Sequence, residues 1–246
     1  MATNSNLEFL SEVSNEELQV LVDYLTKDKH GNVRMTEGLT LTDEYRSYYP
    51  HSLTLMTNSI VNELQLYGGN SFMNWIRGGG VEYREILVDV AKKMKVNFNK
   101  KSSVEVIEMN LLQTIFISSL EKMSEAELKE LMGELDIRTT GFGKQAMIAA
   151  IQVAIKRSGF AAYKIAVIVA NAIARILLGR GLTLAVNAAI TRWISVFAGP
   201  AGWMVTALWT VIDIAGPAYR VTIPAVIQIA YMRILMQTRI QTGACA

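Results

Sequence analysis

The stretch GPAGWMVTALWTVIDIAGPAYRVTIPAVIQIAYMRI, residues 199–234, carries only three charges in 36 residues: Asp213, Arg220 and Arg233. Chain this apolar belongs at the centre of a packed core or in a bilayer, since leaving it in water forfeits roughly 25 cal/mol for every Å² of apolar surface exposed. The longest uncharged run, residues 193–212, meets the rough 20-residue length of a spanning helix. Gly199-Pro200-Ala201-Gly202 interrupts it, however, and a proline there removes a helix hydrogen bond and adds a clash. The run therefore predicts two helices joined by a turn. Polar groups recur inside this half of the chain, at Lys164, Asn171, Arg175, Asn187, Arg192 and Asp213. An arginine at a bilayer centre costs roughly 2.5–3.5 kcal/mol on insertion scales, so these are not ordinary spans. Two arrangements remain. One is a soluble bundle enclosing an apolar hairpin; the other is a hairpin that inserts conditionally, held soluble by an acidic partner.

Either arrangement singles out the same residues. Arg175, Arg192, Asp213 and Arg220 are the candidate membrane or buried-ion groups, joined by Trp193, Trp203 and Trp209 near the expected helix boundaries, where interfacial aromatics concentrate. Asp213 is the sole acid after Arg157, and a buried ion without a partner is prohibitively costly. It is expected to pair with Arg175, Arg192 or Arg220, or to cap a helix.

Cutting the chain after Arg157 exposes a charge asymmetry. Residues 1–157 hold 17 Lys and Arg against 21 Asp and Glu, a balance of −4, whereas residues 158–246 hold 7 against 1, a balance of +6. The expected organisation is an acidic helical domain over 1–157 and a basic, apolar one over 158–246. A basic region that is also the apolar region fits an anionic lipid surface or an intramolecular acidic partner better than nucleic acid, whose binders cluster Lys and Arg more densely. Arg175, Arg180, Arg192, Arg220, Arg233 and Arg239 could contribute to such a surface. The single cysteine, Cys245, can form no internal disulfide and fits a reducing compartment. The first residues lack a basic region followed by an apolar one, so residence in the cytoplasm, or on the inner face of the cytoplasmic membrane, is the expectation.

Helix-start chemistry dominates the acidic half. In VSNEELQVLVDYL, Ser14 and Glu17 form a capping box, Val13 and Leu18 a hydrophobic staple, and Leu18, Leu21, Val22 and Leu25 one apolar face. MSEAELKELMGEL repeats the design with Ser124, Glu127, Met123 and Leu128. Residues 27–52 are polar and contain Gly31, Gly38 and Pro50, which predicts a loop with a short hairpin. Helices are expected near 53–67, 71–77, 81–95, 103–121, 124–135 and 144–157, separated by turn residues. From Phe160 onward, Ala162, Ala166, Ala170 and Ala174 form a small-residue stripe that lets a second helix approach closely. No strand pattern occurs. The fold class is all-α: an acidic helical region followed by an apolar, Ala/Gly-rich helical hairpin or bundle.

Little supports enzymatic chemistry. His30 and His51 both fall in the polar connection, no metal-ligand spacing exists, and no nucleophile motif occurs, so no cofactor is expected. YGGNSFMNWIRGGGVEYREI, residues 67–86, has the glycine density of a phosphate loop but lacks the lysine and hydroxyl and follows a helix, so helix caps and tight turns account for its glycines. Asn70, Asn74, Trp75, Arg77, Tyr83 and Arg84 crowd there, and they form the candidate partner surface. SEAELKELMGELDIRTTGFGKQAMIAAI has the cadence of a small SAP-like nucleic-acid module, but Glu125, Glu127, Glu130 and Glu134 would repel phosphate, which favours an ordinary helical hairpin.

Three segments resemble the YaaW-like family of bacterial proteins: EVSNEELQVLVDYLTKDK, GGNSFMNWIRGGGVEYREILVDVAKKMKVNFNKKSSVEVIEMNLL and AGPAGWMVTALWTVIDIAGPAYRVTIPAVIQIAY. The middle segment is similar to a ubiquinol-cytochrome c chaperone-type domain. That resemblance implies an assembly role with protein partners and brings no catalytic residues. The sequence thus points to a non-enzymatic helical protein of assembly or chaperone type, peripheral to a membrane through its apolar half and open to oligomerisation. The alternative is a membrane-inserting or pore-forming hairpin.

Overall fold

The computed structural model describes residues 5–28, 31–34, 38–68, 80–134, 137–138, 141, 143–157, 159–179, 181–182 and 218–241. Among them the regular structure is helical, apart from one isolated antiparallel bridge between Lys27 and Val33. A 3-10 turn at Glu8–Glu12 leads into α1 (Asn15–Thr26), and α2 (Asp43–Tyr48) lies between 3-10 turns at Leu39–Leu41 and Leu53–Met56. The chain continues through α3 (Thr57–Gly68), α4 (Tyr83–Lys93), α5 (Val104–Leu120), α6 (Glu125–Glu134), α7 (Lys144–Arg157), α8 (Gly159–Leu178) and α9 (Tyr219–Gln241).

The two helix starts read from capping chemistry form as expected. Ser14 Oγ accepts from the Glu17 N–H at 3.4 Å, and Val13 and Leu18 are both buried. At α6 the box is reciprocal: Glu127 N–H donates to Ser124 Oγ at 3.3 Å and the Ser124 N–H donates to Glu127 Oε2 at 2.7 Å. Each bond satisfies a helix-terminal N–H that has no partner within the helix.

The polar stretch 27–52 is only partly a loop. Its hairpin exists, with Arg34 N–H donating to Thr26 O and Asp28 N–H to Asn32 O, both at 2.9 Å. Its second part is helical. Thr42 Oγ1 accepts from the Tyr45 N–H at 3.1 Å, Asp43 and Glu44 occupy the first turn, and the rings of Tyr45 and Tyr49 stack at 4.5 Å. Capping and aromatic stacking stabilise α2 without any fully buried face, so hydrophobic periodicity gave no sign of it. The helix expected at 71–77 lies outside the described residues.

One contiguous core contains residues from both sides of Arg157. At its centre is α9, in which every residue from Val221 to Leu235 is buried. A helix that is apolar all round must be surrounded. Here α8, α1, α5, α4 and α3 pack around it, and α8 makes the most extensive contact. Ala166, Ala170 and Ala174 of the predicted stripe are buried, and Ala162 is half-buried. The change of composition at Arg157 is therefore crossed by the packing.

At Gly80 the missing side chain permits a close approach of backbone to backbone. A Cβ on Gly80 would lie 2.3 Å from the carbonyl carbon of Gln65, whose oxygen accepts the Val81 N–H at 3.2 Å. The chain thus re-enters α4 directly against the backbone of α3. Gly80→Ala must push that backbone apart, a strain of about 1–3 kcal/mol. At this chain length the melting temperature should fall by roughly 3–10 °C. An unchanged melting curve would show that the two backbones are not in contact in solution.

Candidate functional site

Polar side chains in a core this apolar mark the places where the fold does something besides bury surface. Arg233, 9% exposed, lies near the middle of α9, and Glu108, 1% exposed, lies on α5. The guanidinium makes a two-pronged contact, Nε to Glu108 Oε2 at 2.7 Å and Nη2 to Glu108 Oε1 at 3.3 Å. Nη2 also donates to Asn6 O at 2.6 Å, Nη1 lies 4.0 Å from Glu105 Oε1, and the cation sits 4.4 Å from the centroid of the Phe9 ring. From α4, Tyr83 O–H donates to Glu108 Oε1 at 2.6 Å. Five parts of the chain meet in this cluster: the N-terminal segment, its 3-10 turn, α4, α5 and α9.

The electrostatics follow from burial. Desolvation pushes the Glu108 carboxyl above its ordinary value, against the charge and hydrogen bonds of Arg233 and the Tyr83 hydroxyl. Burial likewise raises the Tyr83 phenol, and the neighbouring Glu108 charge adds to the rise. Burial works against the Arg233 cation, but Glu108 outweighs it and holds the guanidinium above its usual range. Both carboxylate oxygens of Glu108 have partners within the cluster. Its chemistry is that of a clamp.

Two further polar contacts position α9. Arg239 Nη2 donates to Glu17 Oε1 at 3.2 Å, while the other oxygen of Glu17 accepts from Ser14 Oγ. Gln228, fully buried, donates from Nε2 to Glu17 O at 3.1 Å, and its Oε1 has no partner among the described residues. At the N-terminal end of α9, Tyr219 O–H donates to Asp89 Oδ2 at 2.7 Å.

The candidate residues divide accordingly. Of the partner surface, Asn70, Asn74, Trp75 and Arg77 lie outside the described residues. Tyr83 is corrected: its ring is fully buried and its hydroxyl belongs to the clamp, because residues adjacent on a helix point about 100° apart. Arg84, its neighbour, is half-buried and donates from Nη2 to Lys100 O and Ser102 O, both at 2.7 Å. Arg175 and Arg220 are exposed, whereas Arg192, Trp193, Trp203, Trp209 and Asp213 lie outside the described residues, as does any pairing of Asp213. Arg233 and Arg239 are withdrawn from the anionic-lipid set, since glutamates of the same chain occupy both. Pattern reading missed Glu108, although a signal existed. It falls on the stripe of Val104, Ile107, Leu111, Leu112 and Ile115, where an acid is out of place unless a cation meets it.

What has emerged is an all-α protein whose centre is an apolar helix clamped by buried charge. The chain belongs to the YaaW-like UPF0174 family. It is 47% identical over 233 residues to a UPF0174 protein of Helicobacter pylori strain J99, covering 94% of this chain and 92% of that one. A UPF0174 protein of Helicobacter pylori strain 26695 is 41% identical over 210 residues, 83% of this chain and 100% of its own. UPF0174 protein YaaW of Escherichia coli strain K12 is 31% identical over 232 residues, 94% of each. Residues 1–35 match a domain of unknown function (DUF3944), and residues 56–227 match the family described as ubiquinol-cytochrome C chaperone. No solved structure gives a significant match.

Arg233→Met leaves Glu108 buried without its cation and should cost about 3–5 kcal/mol. That is a fall of roughly 6–20 °C in a melt followed by circular dichroism. The combination Tyr83→Phe, Glu108→Leu, Arg233→Met removes the orphaned groups together and should regain most of the loss. If the triple variant melts no higher than Arg233→Met, the clamp does not act as a unit. Gln228→Met exchanges one hydrogen bond for relief of an unpartnered acceptor, so its melting temperature should stay within a few degrees of the native value. A large drop would mean that Gln228 Oε1 has a bound partner.

Proposed function

We propose that the protein is a non-enzymatic factor of assembly or chaperone type that engages protein partners at the inner face of a membrane, to which it attaches peripherally. The carrying observation is the match of residues 56–227 to the family described as ubiquinol-cytochrome C chaperone, which extends from the 3-10 turn before α3 into α9. The physical chemistry agrees with that reading. The buried polar cluster is a clamp rather than a reaction centre, and residues 183–217, which precede α9, hold only Arg192 and Asp213 as charges. So apolar a stretch favours work beside lipid or beside apolar protein surfaces.

The second reading, an inserting hairpin, draws on α9 itself. At 23 residues and a mean hydropathy of 1.2 over its best window, it is long and apolar enough to cross a membrane. Against this, 72% of that window is buried inside the molecule, as a core helix would be.

Two measurements on the full chain test the proposal. Membranes from cells producing it should retain the protein at low salt and release it into alkaline carbonate. Retention in the carbonate pellet would transfer support to insertion. Purified protein should also slow the aggregation of an unfolded apolar client in a light-scattering assay and crosslink to that client while doing so. A protein that does neither is not a chaperone-type factor.

A further inference from the structure

We propose that the exposed edge formed by the last turn of α4 and its connection to α5 is the surface that docks on anionic lipid headgroups. This rests on the peripheral-membrane reading above and assigns it a place in the fold. Residues 90–104 contain Lys92, Lys93, Lys95, Lys100 and Lys101 and no acid, and all five lysines are exposed. The ammonium groups of Lys92, Lys95, Lys100 and Lys101 form no ion pair with a described carboxylate. Lys93 lies over the Tyr219 ring at 5.2 Å.

The connection is built to present these charges. Lys95 closes α4 in the left-handed conformation, φ 55°, and the following Val96 N–H donates to Ala91 O at 2.9 Å, the crossing bond of a helix C-terminal motif. Val96 is buried and Phe98 packs against the core, so Asn97 and Asn99, which alternate with them, face outward. Asn110 Nδ2 donates to Asn97 O at 3.3 Å, and Arg84 holds the carbonyls of Lys100 and Ser102. The lysines are thus held along a fixed edge. Acids do flank it, at Glu82, Glu85, Asp89 and Glu105, and Asp89 is engaged by the Tyr219 hydroxyl.

Two features select lipid as the occupant. The run 90–104 has no arginine fork, and its one aromatic ring, Phe98, is turned to the core, so it offers nucleic acid neither bidentate contacts nor a stacking platform. The apolar sequence 183–217 joins α9 next to Tyr219, which is tied to this same edge through Asp89 and Lys93. One apolar signal gives marginal membrane attachment, and a basic cluster in the same chain supplies the second.

The test is flotation of the full-length protein with vesicles of phosphatidylcholine alone or of phosphatidylcholine mixed with phosphatidylglycerol. The variant Lys92→Gln, Lys95→Gln, Lys100→Gln, Lys101→Gln spares Lys93 and its ring contact. A control, Lys122→Gln, Lys129→Gln, removes exposed charge elsewhere. Each basic residue close to an anionic surface is worth about 1 kcal/mol, or about fivefold in partitioning. With two of the four lysines in the headgroup layer, the variant should bind anionic vesicles about 25-fold more weakly. The control should lose fivefold or less, and salt that shortens the Debye length should erase the difference. Native protein that floats while the lysine variant floats equally well overturns this surface and leaves the peripheral reading standing. Native protein that floats with neither vesicle overturns both. Single-stranded oligonucleotide that displaces the protein from vesicles, and binds the variant poorly, would make the edge a nucleic-acid surface and overturn the lipid assignment.

Discussion

The arrangement of helices depends on the ion pair between Arg233 and Glu108 because of where it sits. A helix buried on all sides, as α9 is from Val221 to Leu235, has no polar face to fix its rotation. Nor does anything in uniform apolar packing prevent it from slipping by one turn, about 5.4 Å. Gln228, Arg233 and Arg239 supply the missing information, since each finds its partner at only one height and one rotation. Buried ion pairs commonly contribute little net stability over an apolar replacement, and fixing register is their best-attested use. The orphaned Oε1 of Gln228 fits that view, for it is a cost carried by a residue whose other end sets position.

The same contacts explain the chain's uneven charge. Part of the positive excess after Arg157 returns into the acidic region, Arg233 to Glu108 and Arg239 to Glu17, so the acidic half is the intramolecular partner for those two arginines. Charge counted along the sequence therefore overstates the cation available to an outside surface from the C-terminal helix. It understates what α4 and its following connection offer, where Lys92, Lys95, Lys100 and Lys101 form no ion pair with a described carboxylate although the region is acidic on average.

Local physics was legible in the sequence and long-range pairing was not. Ser14 with Glu17 and Ser124 with Glu127 announce their helices because a cap involves residues three apart. The alanine stripe of α8 announces a close neighbour because its spacing belongs to one helix. Glu108 and Arg233 are 125 positions apart, and only folding brings them together. Tyr83 and Arg84 are adjacent in sequence, yet one is fully buried in the clamp and the other is half-buried against the carbonyls of Lys100 and Ser102. The lysines of 92–101 vanished into an average over 157 residues, although five of them in ten positions is a local signal of the kind that capping gives.

A helix that satisfies both the membrane and the core criterion is assigned by what it would leave behind. Withdrawing α9 into a bilayer would place Arg233 in hydrocarbon, at roughly 2.5–3.5 kcal/mol on insertion scales. It would also strand Glu108 beside Tyr83 without a cation, a defect of about 3–5 kcal/mol. The apolar faces of α1, α3, α4, α5 and α8 would then need a new cover. Attachment through exposed lysines leaves every one of these contacts intact. On energetic grounds the clamp makes surface attachment the less costly way for this fold to meet a membrane, and insertion of α9 would require an event that first compensates Glu108.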